Sequence, residues 1–455
     1  MTTLSSINRR KFIKNTTAAG LGLSLLSYPN LLFGNDDRKI KIALIGIGLR
    51  GRNHLSLLLR RKDTEVVAIC DIDPNSLKAA QELIKASGKK AALEFTGSET
   101  AYLDMLNQKE IEGVIISTPW LWHTRMAVDT MKAGKYAGVE VSAANTLEEC
   151  WDLVNTQEET GVPVMILENV CYRRDVMAVL QMVREGLFGE LTHLECGYQH
   201  DLREVKFNNG TQPYGGGVEF GAKGYSEAKW RTEHSIHRNG DIYPTHGIGP
   251  VAEYLNINRG NRFDYLTSTA TKAKGLHKYI VDQAGEDHPN AKINFKLGDI
   301  ITTVIKTVNG ESITVQHDTN SPRPYSLGFR VQGTNGLWMD INDSIYIEHK
   351  SEPHQWESDK AYMEKYDHPL WKKYGKEAEG AGHGGMDFFV INAFVESIKK
   401  QAPTPLDAYD AAAWSAIAPL SEQSIAGGSE PVFFPDFTRG RWMSRKPIFA
   451  LNDSY

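Results

Sequence analysis

Nothing in this chain is apolar for long enough to cross a bilayer, which takes a helix of about 20 residues. Cysteine is scarce. Its four copies, Cys70, Cys150, Cys171 and Cys196, are far apart and none stands in a CxxC pair, which excludes a disulfide framework and a thiolate zinc site and leaves buried free thiols. Neither sign of charge prevails: 51 basic against 56 acidic residues leave a formal net charge of −5, so nucleic acid and anionic membrane have no electrostatic claim on the chain. Internal repeats and low-complexity tracts are missing as well, and many of the 40 glycines fall in short turn-like clusters. What remains is an ordinary globular composition, 41% hydrophobic and 24% charged. At 455 residues the chain exceeds one comfortable core, so two domains are expected.

The first residues read as a targeting segment. Arg9 and Arg10 are followed by Lys11, Phe12, Ile13 and Lys14, and a mildly apolar, Gly/Ser-rich stretch over residues 16–26 runs to the breaker Pro29. The arrangement resembles a twin-arginine export signal; a disordered basic tail is the alternative. The signal is placed at residues 1–35, which makes the periplasm the expected destination and lets a cofactor be loaded before export.

Residues 36–168 have the pattern of a doubly wound α/β domain. A short strand over 41–45 runs into Gly46-Ile47-Gly48-Leu49-Arg50-Gly51, a helix follows, and a second apolar strand over 66–70 ends at Asp71. Gly46 permits the tight turn, Gly48 lets the backbone approach a pyrophosphate, and Gly51 lets helix and strand pack closely. The helix N-terminus then offers free N–H groups to the phosphates. Asp71 can accept hydrogen bonds from both ribose hydroxyls and would repel a 2′-phosphate, so NAD is expected rather than NADP. Strands ending near Thr118, at Glu140 and Val141, and (over 162–167) at Glu168 and Asn169 complete the sheet, with a capping-box spacing at Thr146 and Glu149. Ligands of such sheets bind outside the carboxyl ends of the strands. Trp120, Leu121, Trp122, His123, Glu140, Val141 and Asn169 are therefore expected on the nicotinamide side.

Beyond Asp175 the periodicity changes. A helix over 176–184 leads to strand-like runs around Leu194 and over 301–305, 312–315 and 328–331. The expectation for residues 169–455 is an α+β domain with a large open, mostly antiparallel sheet that closes over the nicotinamide. A late helix marked by Phe388, Ile391, Val395 and Ile398 is expected to pack back on that sheet.

The order of a Rossmann domain, a helix ending in Gly-x-x-Gly-Glu and a sheet domain resembles the glucose–fructose oxidoreductase and inositol dehydrogenase (Gfo/Idh/MocA) family. Several strings resemble glycoside hydrolase family 109, the NAD-dependent α-N-acetylgalactosaminidases, more closely still. They include Glu168-Asn169-Val170-Cys171-Tyr172-Arg173-Arg174-Asp175, Gly197-Tyr198-Gln199-His200-Asp201, Tyr243-Pro244-Thr245-His246-Gly247-Ile248-Gly249-Pro250, Pro322-Arg323-Pro324-Tyr325-Ser326 and Gly380-Ala381-Gly382-His383-Gly384-Gly385-Met386-Asp387. The resemblance implies an NAD site at Leu49, Arg50, Asp71, Trp120 to His123, Glu140, Val141 and Asn169. It implies a sugar site at Tyr198, Arg231, Tyr243, Pro244, Thr245, His246 and Tyr325. Where the wider family carries Glu-Lys-Pro, with a Lys that assists proton transfer, this chain reads Glu140-Val141-Ser142. The missing Lys counts against a routine sugar dehydrogenase.

The implied reaction is a redox-neutral glycoside hydrolysis, an exception to the two-carboxylate rule: oxidation at carbon 3, loss of the carbon 2 proton and of the group on carbon 1, addition of water, and return of the hydride. His246, Tyr243 and Tyr325 are the catalytic candidates, because His shuttles protons near neutral pH and tyrosines donate to developing charge. Arg231 can fork onto hydroxyls or the acetamide carbonyl. The expected partner is a small glycoside or a glycan terminus, and a homo-oligomer is compatible with the sequence. A net NAD-dependent sugar oxidoreductase and a non-catalytic sugar sensor are the competing readings. A metal site at His234 and His237, with Glu233 and His246 nearby, completes no established ligand spacing.

The export reading has a direct test. Changing Arg9 and Arg10 together to Lys should leave folded, active protein in the cytoplasm, as followed by cell fractionation; normal export of the double variant would rule out the twin-arginine route.

Overall fold

Six short strands form a parallel sheet in the order β3-β2-β1-β4-β5-β6: β1 (Ile40–Ile45), β2 (Thr64–Cys70), β3 (Leu93–Phe95), β4 (Gly113–Ile116), β5 (Tyr136–Val139) and β6 (Val164–Ile166). The computed structural model describes residues 38–455, so the twin-arginine segment lies outside the described residues. The strands β1, β4 and β6 are buried over nearly their whole length, as a parallel sheet covered by helices requires. Those helices are α1 (Leu49–Arg60), α2 (Pro74–Ala86), α3 (Ala101–Leu106), α4 (Trp120–Lys132) and α5 (Leu147–Thr160). The expected capping box starts α5: Thr146 Oγ1 accepts from Glu149 N at 3.1 Å, and Glu149 Oε2 accepts from Thr146 N at 3.3 Å, worth about 1 kcal/mol. Strand order reverses between β1 and β4 and opens the crevice at their carboxyl ends.

After α6 (Arg174–Arg184) the chain builds the open sheet from β7 (Leu191–Gln199), β8 (Phe263–Ala270), β9 (Ile300–Thr307), β10 (Ser312–Asp318), β11 (Arg330–Gly333), β12 (Gly336–Met339), β13 (Ser344–Ile347), β14 (Glu357–Ser358) and β15 (Val432–Phe433). Their order is β14-β13-β12-β11-β7-β10-β9-β8-β15. Neighbours are antiparallel except β7 and β10, which run parallel with Tyr198 beside His317. The site-bearing helices α7 (Arg231–His237) and α8 (Thr245–Tyr254) lie between β7 and β8 in the chain, and α9 (Pro369–Ala378), α10 (Met386–Lys400), α11 (Ala408–Ser415) and α12 (Ile417–Ala426) come late.

The late helix α10 corrects the expectation from the sequence. It packs on the Rossmann sheet beside α1, not on the open sheet. Gly113 in β4 and Gly138 in β5 leave a trough that its side chains fill: a Cβ on Gly113 would stand 2.4 Å from Ile398, and one on Gly138 would stand 3.1 Å from the Phe394 ring. The late helix on the open sheet is α12, against β8, while α11 joins α5 and β6. Residues 39–455 consequently make one compact unit.

Phe394→Ala should empty that trough and cost about 3–5 kcal/mol, as truncation of a buried Phe does. Chemical denaturation would report it as a lower midpoint at unchanged slope; an unchanged midpoint would mean the trough collapses without loss.

Candidate active site

The crevice edge is built from the glycine loop. Gly46 has φ +82°, and a Cβ there would stand 2.6 Å from Ser117 O, while a Cβ on Gly51 would meet Gly46 O at 1.9 Å. Internal packing demands both. Gly48 is different, because a Cβ there would meet nothing within 4 Å; its bareness leaves room for something outside the protein. No side chain caps the N-terminus of α1, so its first N–H groups face the same space. Asp71 Oδ2 accepts from Ile47 N at 2.6 Å and Oδ1 from Asp73 N at 2.9 Å, fixing the carboxylate beside the loop. The residues present fit a dinucleotide.

Behind Leu49, the Arg50 side chain runs along the edge. Its Nε donates to Glu140 Oε1 at 2.7 Å, and its Nη1 and Nη2 donate to Asp387 at 2.8 and 3.0 Å. His54 Nε2 stands 2.6 Å from the same Glu140 oxygen. Burial pushes the Glu140 carboxyl up, but Arg50 and His54 outweigh it and bring it down to about 2. Burial followed by Arg50 lowers His54, against the pull of Glu140. Asn169 Nδ2 donates to Asp387 Oδ1 at 2.8 Å, which joins the end of β6 to the cluster.

Of the four residues opening α4, Leu121 is exposed, Trp122 is half-buried, and Trp120 and His123 are buried. His123 braces the backbone: its ring nitrogens lie 2.7 Å from Ser142 O and 2.7 Å from Thr118 O. Burial lowers its pKa, and the ring has no nitrogen left for a ligand. Its place in the expected cofactor set is thus confined to its backbone. Val141 is buried as well.

The sugar side gathers around a backbone contact between α8 and β7. Tyr198, Tyr243 and His246 form a triangle with ring centroids 4.7 Å (Tyr198–Tyr243), 5.2 Å (Tyr198–His246) and 5.1 Å (Tyr243–His246) apart. Trp120 stacks on Tyr243 at 5.3 Å, carrying the triangle to the Rossmann strand ends. Arg231 lies over Trp120 at 4.9 Å and Tyr243 at 5.2 Å; its Nη1 pairs with Glu227 at 3.1 Å, and its Nε has no hydrogen-bond partner within the protein. Tyr325 is half-exposed at the mouth, 6.4 Å from Tyr198 and 4.9 Å from His200. Pro244 is the N-cap position of α8 and Thr245, its first residue, is fully buried, so these two shape the turn beneath the other residues.

Glu168 holds His246, and the sequence reading does not single it out. Fully buried, its Oε1 accepts from His246 Nδ1 at 2.7 Å and from Val170 N at 3.0 Å. The carboxylate assigns the proton to Nδ1 and leaves Nε2 as a base, 3.5 Å from the Tyr243 hydroxyl. Burial raises Tyr243 well above an ordinary phenol and pushes Tyr325 up to about 12 despite Arg173, so both tyrosines act as O–H donors. The only sequence signal for Glu168 is its place at the end of β6, matching Glu140 at the end of β5. His200, whose Nδ1 is 3.1 Å from the Tyr198 hydroxyl, also went unanticipated. His234 packs on Trp120 at 4.9 Å, while His237 pairs with Glu233 on the exposed side of α7 at 3.3 Å. Among the described residues no three His, Cys, Asp or Glu are grouped to hold a metal ion.

Comparison with known proteins identifies the family. A family model described as "Oxidoreductase family, NAD-binding Rossmann fold" covers residues 40–168, and the glycosyl hydrolase 109 C-terminal domain covers residues 172–444. The chain belongs to glycoside hydrolase family 109. A family 109 protein of Stenotrophomonas maltophilia is 56% identical, over 99% of this chain and 100% of its own. A protein of Tannerella forsythia named alpha-N-acetylgalactosaminidase is 53% identical, over 97% of this chain and 99% of its own. Levoglucosan dehydrogenase, solved in complex with NADH and levoglucosan, matches with a TM-score of 0.62 at 18% identity, over 88% of this chain and 100% of its own; that likeness is one of fold. In this family 109 chain, the residue after Glu140 is the buried Val141, which carries no proton.

His246→Ala should lower turnover by about 10²-fold or more, the usual loss for an acid/base group. Glu168→Gln should lower it by at least about tenfold with the fold intact by circular dichroism. Wild-type turnover in the Glu168 variant would remove the carboxylate from the site's chemistry.

Proposed function

We propose that this enzyme hydrolyses terminal α-linked N-acetylgalactosamine through an oxidation–elimination–addition–reduction cycle, with NAD as its resident cofactor and no net redox change. The row Glu168–His246–Tyr243, set against Trp120 at the Rossmann strand ends, is the observation that carries this reading. The names of the relatives in Tannerella forsythia and Shewanella oneidensis support the sugar. The ordinary glycosidase design needs two carboxylates free to act across the scissile bond. Here Glu140 is committed to Arg50 and His54, and Glu168 to His246.

The nicotinamide, when bound, supplies a reversible acceptor for the hydride of carbon 3. The chain's residues handle the protons. Tyr243 passes the carbon 3 hydroxyl proton to His246 Nε2, since its own phenol is too weak an acid to hold the charge. The ketone at carbon 3 acidifies the carbon 2 proton. Its loss to a base drives out the group on carbon 1, which leaves with a proton. Water then adds at carbon 1 as carbon 2 regains a proton, and the returned hydride restores the hydroxyl. Tyr198 and Tyr325 donate to the enolate oxygen, where preorganised donors act most strongly, and Arg231 forks onto a ring hydroxyl or the acetamide carbonyl. A net sugar dehydrogenase is the weaker reading, because Val141 occupies the place of the proton-handling Lys. Export by the twin-arginine route to the periplasm is proposed with this activity, on Arg9 and Arg10.

Hydrolysis of an N-acetylgalactosaminide in heavy water should place deuterium at carbon 2 of the released sugar, without build-up of reduced nicotinamide. Mass spectrometry and NMR would check this. Aglycone release without exchange at carbon 2 would rule out the cycle, and steady nicotinamide reduction without aglycone release would make the protein a dehydrogenase.

A further inference from the structure

One proton of the proposed cycle still needs an acceptor on the chain. When carbon 2 has to give up its proton, His246 already holds the one that came from the carbon 3 hydroxyl through Tyr243. A second acceptor is therefore required, and the sugar sets its place. In the chair of a galactose-configured ring the hydrogens on carbons 2 and 3 point to opposite faces. A nicotinamide that takes the carbon 3 hydrogen from the Rossmann side leaves the carbon 2 hydrogen pointing away from it. The acceptor belongs on the far side of the sugar site, toward the mouth.

His200 stands there. From the Rossmann strand ends the rings run outward in the order Trp120, Tyr243, Tyr198, His200, with successive centroids 5.3, 4.7 and 5.7 Å apart. Side chains alternate along a strand, so Tyr198 and His200 share one side at the end of β7. Backbone pairing holds that end on both flanks. His200 N donates to Asp318 O at 2.9 Å, while Gln199 and Ser326 exchange N–H···O bonds at 3.1 and 2.9 Å. The second pairing brings Tyr325 to 4.9 Å from the His200 ring.

The half-buried His200 ring has one nitrogen occupied and one available. Nδ1 lies 3.1 Å from the Tyr198 hydroxyl. With the Tyr198 proton directed to the enolate oxygen, Nδ1 is the donor in that pair and Nε2 keeps a lone pair. Among the described residues no hydrogen bond engages Nε2. Asp201 is forked by Arg203 Nε and Nη2 at 2.9 and 2.7 Å, and Asp318 accepts from Arg323 Nη1 at 3.0 Å, so neither carboxylate ties up the ring. Burial, then Arg231, lowers the His200 pKa against Asp201 and Glu227, which favours the neutral, proton-accepting form.

We propose that His200 is the acid/base group for carbon 2 of the sugar, a second catalytic residue beside His246. The assignment rests on the cycle and the sugar proposed above and adds the residue that opens the elimination. Nε2 takes the carbon 2 proton, and the electron pair of that bond passes into the carbon 3 ketone as an enolate. Collapse of the enolate re-forms the ketone, places a double bond between carbons 1 and 2, and breaks the bond from carbon 1 to oxygen. The departing oxygen takes a proton from water. The hydroxide left behind adds to carbon 1, and the His200 imidazolium returns a proton to carbon 2. His200 ends neutral, and one water has been consumed. In an α-linked sugar the glycosidic oxygen lies on the face opposite the carbon 2 hydrogen, so His200 serves carbon 2 alone. Near the mouth its proton exchanges with solvent before it returns.

The variants His200→Ala and His200→Gln, made in the full-length protein with NAD bound and checked for fold by circular dichroism, test this step. Aglycone release from an N-acetylgalactosaminide should fall by about 10²-fold or more in both, the usual loss for an acid/base group. Oxidation at carbon 3 should persist, so the absorbance of reduced nicotinamide should now build up on mixing with the glycoside. Exchange of the carbon 2 hydrogen of free N-acetylgalactosamine in heavy water, followed by NMR, should be lost. Wild-type protein should show the exchange and no build-up. Wild-type release and exchange in the Gln variant would overturn the assignment, since an amide keeps a hydrogen bond to Tyr198 but accepts no proton. Loss of nicotinamide reduction together with release would overturn it too, because His200 would then act before carbon 2. Aglycone release by the wild-type protein without exchange at carbon 2 would instead overturn the cycle itself.

Discussion

The site exists because a helix and a strand touch backbone to backbone. A Cβ on Gly247 would stand 2.6 Å from Gly197 N, and one on Gly197 would stand 2.2 Å from Gln316 O, so neither position tolerates a side chain. With Gly247 bare, α8 lies directly on β7, and the residues next to the contact, His246 and Tyr198, have ring centroids 5.2 Å apart. Two residues further along α8 the same device recurs, since a Cβ on Gly249 would come within 3.0 Å of Glu168 Cγ and of Cys171 Sγ. The string His246-Gly247-Ile248-Gly249 is thus the candidate histidine followed by the two gaps that admit its neighbours. Packing comes before chemistry here, because without the first gap the tyrosine and the histidine separate, and without the second the histidine loses its carboxylate.

Charge does for the cofactor edge what bare backbone does for the sugar side. A buried carboxylate is tolerated only when paired and hydrogen-bonded, and Glu140 and Asp387 meet that condition through one guanidinium. Arg50 sits between them, so the glycine loop, the end of β5 and the start of α10 share a single network. This helps to explain why the Rossmann part and the sheet part behave as one unit: α10 covers the Gly113–Gly138 trough along its length and is pinned electrostatically at its start.

Much of this was legible in the sequence wherever a local rule applied. The Rossmann sheet follows from short aliphatic strands, and the glycine loop from a spacing that only close backbone approach explains. The capping box at Thr146 and Glu149 and the parallel-to-antiparallel change after Asp175 are local patterns of the same kind. The sugar-site residues emerged from family-like strings, and the structure does bring Tyr198, Arg231, Tyr243 and His246 together. What escaped was pairing over distance. Glu168 and His246 are 78 residues apart, and Arg50 and Asp387 are 337 apart; no periodicity links them. The destination of α10 was misread for the same reason: Phe394 and Ile398 announce an apolar face, but the trough that receives it is written in Gly113 and Gly138, at the far end of the chain. Short strands such as β12 and β13, four residues each, offer too little alternation to be read at all. His123 shows a further limit of such reading, since its ring nitrogens face backbone carbonyls that the sequence does not announce.

A fold shared with sugar dehydrogenases can serve a glycosidase because the hard step in both is the same, removal of a hydride from a carbinol carbon. The two diverge once the hydride has moved. A dehydrogenase must exchange its nicotinamide every turnover, so its cofactor site has to open. The proposed cycle returns the hydride to the same sugar, and a cofactor that is regenerated in place gains nothing from leaving. Selection then acts on retention, and retention is favoured by contacts from both halves of the chain. In this protein Glu140 and Asp387 are engaged in holding Arg50, and Glu168 in holding His246. In the proposed cycle the acid/base work at carbon 3 falls to a histidine and a tyrosine that stand side by side. That division, with carboxylates as anchors and His246 as the mobile-proton group, is what a redox-neutral hydrolase requires, since it must first make carbon 2 acidic and only then break the bond at carbon 1.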